Sequence, residues 1–156
     1  VYNHAPAGYV CPFCRLAHGQ DNPGWNQQSD VIYRGAQALA FIAPLWWEQN
    51  PAHAIIIPVP HIENLYDLTA DLALAVHELT RQMALAFKQV YGCAGTSTRQ
   101  HNEPAGNQEV FHYHVHVFPR YDGDNLYGAA RRMTTGAERA PYAARLRAYF
   151  AGLTAQ

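Results

Sequence analysis

No apolar run in this chain approaches the roughly 18–20 residues that a bilayer-spanning helix needs. The opening Val1-Tyr2-Asn3-His4 also lacks the basic-then-apolar layout of a secretory signal. Charge bias is missing too. Eleven basic and 12 acidic residues give a formal net charge of -1, with no basic footprint for a nucleic-acid polymer and no polybasic membrane patch. A nucleotide-sized ligand stays compatible, because it needs a local site and not a charged surface. Cysteine is scarce and odd in number (Cys11, Cys14 and Cys93), which fits a reducing compartment, by default the cytoplasm, and a metal site better than a disulfide framework. Internal repeats and low-complexity linkers are absent. What remains is 156 residues, 49% hydrophobic and 15% charged, enough for one domain over 1–156 with a real core.

Periodicity orders the chain. Residues 1–30 are irregular; 31–33 and 38–42 read as short strands around the Arg34-Gly35 turn, and 44–51 as a loop carrying Trp46 and Trp47. Ala54-Ile55-Ile56-Ile57 reads as a buried strand stopped by Pro58 and Pro60. Leu72, Val76, Leu79, Met83, Phe87 and Val90 fall on one face of a helix over about 70–91, with Thr69 as N-cap and Gly92 as stop. A strand over 96–100, a polar loop over 101–109, a strand over 110–118 and a C-terminal helix over 137–153 follow. Strands joined without intervening helices predict an α+β domain with a mainly antiparallel sheet of about five strands.

The most informative stretch is His112-Tyr113-His114-Val115-His116-Val117-Phe118. Period-two alternation predicts a strand with all three imidazoles on one face and Tyr113, Val115 and Val117 in the core. Taken bare, such histidines bind a transition metal, supply an acid, base or nucleophile, or lie on a solvated face. Cys11-Pro12-Phe13-Cys14 is half of a tetrahedral zinc site, a redox pair or two packed thiols. The redox reading needs a long helix from the cysteines, which Gly19, Pro23 and Gly24 oppose.

The histidine stretch resembles the His-φ-His-φ-His-φ-φ signature of the histidine triad (HIT) superfamily. Pro51 to His61 is similar to the family's His, buried strand, Pro and second His, and Asn102 to Gln108 resembles its phosphate-facing loop. The Cys pair is similar to that of the bacterial Hint-like branch. The likeness runs over about 9–124, leaving 125–156 as a C-terminal extension. It implies a nucleotidyl hydrolase that cleaves nucleoside phosphoramidates or related conjugates at the α-phosphate, with no catalytic metal. His114 is then the nucleophile and His116 stabilises developing charge, while His53 and His112 complete the catalytic set. Asn102, Asn107 and Gln108 bind phosphate oxygens. A structural zinc held by Cys11, Cys14, His61 and His112 is implied, with His53 the runner-up ligand, as is a homodimer. A Fhit-like dinucleoside polyphosphate hydrolase and a non-catalytic nucleotide-binding protein stay open beside this reading.

Two departures stand out. Glu109 occupies a place where many relatives have a small hydroxyl residue, and a carboxylate there repels phosphate unless it turns away or is neutralised. The ribose-binding Asp is missing, Ala43 standing at its position, with Glu48 or Asn50 as substitutes from the longer loop. Phe13, Phe41 and the two tryptophans suggest an apolar slot for a purine, or else simply core. Arg120 reads as a contact to extra phosphates or as a surface ion pair. His101 adjoins the phosphate loop, and His4, His18 and His77 read as solvated.

Overall fold

The computed structural model describes residues 2–153. After a short helix α1 (Pro12–Ala17), strands β1 (Val31–Arg34), β2 (Ala38–Ile42), β3 (Leu45–Trp47) and β4 (Ala54–Pro58) precede the long helix α2 (Ala70–Ala86). Then come β5 (Gly95–Gln100), β6 (Val115–Arg120), β7 (Arg131–Met133) and α3 (Gly136–Leu153). Five strands form one antiparallel sheet in the order β1-β2-β4-β6-β5, and β3 pairs with β7 in a second, two-stranded ribbon.

The fold class is therefore the expected one, α+β with a five-stranded antiparallel sheet. Thr69 caps α2, its side chain accepting from the Leu72 N–H, and Gly92 ends the helical run in the left-handed conformation after a π-turn over Phe87–Tyr91. Leu72, Val76, Leu79 and Met83 are buried as the spacing predicts, against the inner face of β2, β4 and β6.

Both faces of the sheet are covered. Ala40, Ile42, Ala54, Ile56, Tyr113 and Val117 meet α2 and α3 on one side. Leu39, Phe41, Ile55 and Ile57 meet Cys11, Phe13 and Leu16 on the other. Alternation thus sends Tyr113 and Val117 into the helical core and leaves the histidines on the face covered by the N-terminal segment. The ladder itself starts only at Val115, later than the strand expected over 110–118, so His112 and His114 lie just ahead of β6.

The C-terminal residues are more than an extension of the sheet. Ala143, Leu146 and Phe150 of α3 join the main core, and Arg139 forms an ion pair with Asp30 at 2.8 Å with both side chains almost wholly buried. β3 corrects the loop expected over 44–51. Its partner lies far downstream (Leu45 opposite Met133, Trp47 opposite Arg131), beyond the reach of local periodicity.

Register across the sheet sets up the site. Phe41 lies opposite Ile55, Ile55 opposite His116, and His116 opposite Arg99, one row across β2, β4, β6 and β5. Residues in such a row share a face and are spaced by about 4.7–4.9 Å per strand.

Candidate active site and metal centre

Two constellations grow from the histidine stretch. The first is the group Cys11, Cys14, His61 and His112, whose ligand atoms all lie within 4.8 Å of one another. His112 Nδ1 is 3.4 Å from Cys11 Sγ and 3.6 Å from Cys14 Sγ, and His61 Nδ1 is 3.2 Å from Cys14 Sγ. Tetrahedral zinc with bonds of about 2.3 Å to sulfur and 2.0–2.1 Å to nitrogen places S and N about 3.5 Å apart, which these edges match. The His112 Nε2–H donates to the Pro58 carbonyl at 2.9 Å, fixing the tautomer with its lone pair on Nδ1, towards the thiols. The donor set fits zinc. Cys11 caps α1, and that helix is only six residues long, so the redox reading lacks its helix. His53 is not part of the group; His61 is.

The second constellation lines a cavity of about 290 Å³ that includes His53, His114, His116, Phe13, Trp25 and Trp47. The His114 Nδ1–H donates to the His112 carbonyl at 2.7 Å, leaving Nε2 as an unprotonated lone pair on the cavity side. Burial pushes this imidazole down to about 4, so it is neutral at pH 7. His53 Nε2 and His116 Nδ1 share one proton at 3.1 Å. His53 Nδ1 is buried without a partner. An orphaned lone pair costs less than an orphaned N–H, which assigns the proton of the shared bond to His53. His116 then carries its own proton on Nε2. Burial first, and the charges of Arg99 and Arg131 next, push His53 down to about 3; burial likewise holds His116 well below its ordinary value.

The remaining expected residues divide. Asn107 lines the cavity, at the left-handed end of the 3₁₀ turn over Pro104–Gly106. Asn102 does not: its Oδ1 accepts from the Leu65 N–H and its Nδ2 donates to Gln100. Gln108 is likewise committed, donating to the Glu63 and Val110 carbonyls and accepting from the Glu103 N–H. Both shape the loop; Gln108 has no side-chain group left for phosphate, and Asn102 keeps one amide N–H outside the cavity lining. Phe41 is fully buried beneath Phe13, with ring centroids 5.3 Å apart, so it supports the slot without lining it. Trp46 is core, its indole N–H donating to the Ala43 carbonyl, whereas Trp47 faces the cavity. His112 spends both ring nitrogens on the thiols and on Pro58, and reaches the second constellation only through its carbonyl.

Neither ribose substitute is in place. Asn50 is buried and donates to the Pro119 carbonyl and to Asp124, and Glu48 borders a neighbouring groove. Arg120 forms a bidentate pair with Asp124, which settles it as an ion pair. Glu109 does face the cavity, but it is paired with Arg131 at 2.6 Å, which offsets the repulsion that its position raised. His101 also lines the cavity, its Nδ1–H held by the Gly106 carbonyl. His4, His18 and His77 are exposed as expected, His4 pairing with Glu103 at 3.0 Å on the surface. Trp25, Arg99 and Arg131 were not singled out by sequence. Arg99 alone carried a usable signal, sitting at an inward position of a polar strand beside the triad.

The HIT domain family model matches residues 25–123. The chain belongs to the HIT family. "Protein hit" of Bacillus subtilis is 33% identical over 119 residues, covering 76% of this chain and 77% of that one. A zinc-bound histidine triad family protein from Mycobacterium smegmatis superposes with a TM-score of 0.77 at 25% identity, over 94% of this chain and 96% of that one. The fold is shared with the diadenosine triphosphate hydrolase of Plasmodium falciparum, with a TM-score of 0.71 at 15% identity over 81% and 80% of the two chains. A hypothetical histidine triad nucleotide-binding protein from Sulfolobus tokodaii also shares the fold, with a TM-score of 0.75 at 18% identity over 92% of this chain and 93% of that one.

Proposed function

We propose that this HIT protein hydrolyses nucleoside phosphate conjugates at the α-phosphate, through a nucleotide bound covalently to His114. The observation that carries the reading is the tautomer of His114, whose Nδ1–H is fixed by the His112 carbonyl and whose Nε2 lone pair lies on the wall of an open cavity. Attack of Nε2 on phosphorus forms a P–N bond, and the electron pair of the broken bond leaves with the departing group, which takes up a proton from solvent. Water then attacks the same phosphorus, the P–N bond breaks, and the nucleoside monophosphate leaves as His114 regains its lone pair. One hard displacement becomes two easier ones. The Nε2–H of His116, oriented through its bond from His53, donates to a phosphoryl oxygen as charge develops there. Phe13 and Trp25 receive the base.

A zinc ion held by Cys11, Cys14, His61 and His112 belongs to the same proposal, with all four positions filled by protein. Such an ion supplies rigidity and no open position for chemistry. It anchors the residue whose carbonyl sets the His114 tautomer. A homodimer, implied by the family likeness, is part of the proposal and is read by light scattering.

The test is turnover of an adenosine phosphoramidate by wild type and by His114→Ala, with zinc content measured alongside. The expected result is loss of turnover by a factor of at least about 10³ with zinc retained. Turnover by the variant within about tenfold of wild type contradicts the nucleophile assignment.

A further inference from the structure

Arg99 is a cation at the candidate active site with no acidic partner among the described residues, only the Tyr127 hydroxyl as a polar side-chain neighbour. It sits on edge strand β5, directly opposite His116, and lines the same cavity. Its guanidinium carbon lies 4.9 Å from the Phe118 ring centre, 4.4 Å from that of Tyr127 and 5.5 Å from that of Trp47. This aromatic frame holds the group in place and excludes water from it, yet Nη2 is buried with no hydrogen-bond partner among the described residues. The neighbouring arginines differ. Arg131 is paired with Glu109, and Arg120 with Asp124. A buried guanidinium N–H left unpaired is costly, and a cationic one most of all. A ligand oxygen is the natural partner.

The sheet order says which part of a ligand this is. Apolar Phe13 and Ile55 line the cavity over β4, His114 and His116 stand at β6, and Arg99 lies one strand further on, at β5. With the base over β4 and the α-phosphorus at His114, a chain of atoms continuing past the phosphate and His116 meets Arg99 on β5. We infer that Arg99 is a specificity-determining residue that binds an anionic phosphate on the leaving-group side of the α-phosphate. The favoured substrates are then nucleotides in which a second phosphate follows the first, in preference to those with a neutral amine there. This rests on the proposed placement of the α-phosphate at His114. Guanidinium and phosphate oxygens suit one another through charge-assisted, paired N–H···O bonds, and a neutral group gains nothing from the same contact.

The test is equilibrium binding, which does not depend on turnover. Calorimetry compares α,β-methylene-ADP, whose two phosphates cannot be cleaved apart, with AMP in wild type, Arg99→Gln and Arg99→Lys. Wild type is expected to bind the diphosphate analogue roughly 10–100-fold more tightly than AMP, as hydrogen bonds to charged groups imply. Arg99→Gln is expected to close that gap to within about threefold, and Arg99→Lys to keep part of it. No preference in wild type overturns the inference. So does an equal loss for both ligands in Arg99→Gln, since a merely structural role weakens the whole site. Failure of the hydrolase reading shows separately, as absence of turnover with the binding preference intact.

Discussion

Arg139→Ala removes one half of a buried ion pair and exposes how the C-terminal helix supports the site. Arg139 Nε donates to Asp30 Oδ1 at 2.8 Å, Nη1 to the Thr134 carbonyl and Nη2 to the Trp25 carbonyl at 2.7 Å. Asp30 Oδ2 meanwhile accepts from the Gln27 N–H and the Asn26 amide. Asp30 is 0% exposed and Arg139 1%, so truncation leaves a carboxylate in the interior without its cation and strands two carbonyls. Removing one partner of such a pair costs about 3–5 kcal/mol. At about 2–4 °C per kcal/mol for a chain of this size, the melting temperature falls by roughly 6–20 °C. Because Trp25 lines the cavity, nucleotide affinity falls as well. Urea unfolding of Arg139→Ala and of the double variant Asp30→Leu/Arg139→Met separates the causes. The double variant, which buries no charge, is expected to recover most of the loss. A single variant within about 1 kcal/mol of wild type refutes the argument that this pair ties α3 to the pocket wall.

Other consequences follow from the two histidine constellations. Zinc bound a thousandfold above its Kd contributes about 4 kcal/mol of stability, so a strong chelator is expected to lower the melting temperature by roughly 8–16 °C, and an unchanged melt counts against the site. Protein that remains folded during a short assay with chelator is expected to keep its turnover, since no open metal position takes part. His53, pushed down to about 3 by burial and by Arg99 and Arg131, makes stability depend on acid. Above the ordinary value of 6.5 neither folded nor unfolded chain holds that proton. Between there and about 3 the unfolded chain binds it and the folded one does not, so stability drops as pH falls, by about 1.4 kcal/mol per pH unit, and levels off below. Denaturant midpoints from pH 7 to pH 4 for wild type and His53→Gln read this term, and equal slopes in the two proteins contradict it.

Most of what the sequence revealed was carried by short-range pattern. The α2 stripe, Thr69 and Gly92 could be read because helix periodicity and caps are local. His114 and His116 could be read because alternation alone fixes the face on which they stand. The metal group was legible only through likeness, since Cys11 and His112 are about a hundred residues apart and nothing local joins them. The loop bonds of Asn102 and Gln108 were hidden because an amide suits a phosphate and a loop carbonyl equally well, and only packing shows which it meets. The β3–β7 ribbon, and with it Arg131, was hidden because pairing across that separation leaves no periodic trace in either three-residue strand. Arg99 could have been found from β5, once that strand was set antiparallel to the histidine strand and its inward positions counted.

The central claim is that His114 carries the nucleotide between the two halves of the reaction. Rapid quenching of wild-type protein mixed with excess adenosine phosphoramidate, followed by intact mass and peptide mapping, tests it directly. One adenylyl group on the peptide containing His114, formed and discharged no more slowly than turnover, is the predicted result. Turnover with no protein-bound nucleotide at any time, or with the label on another residue, contradicts it.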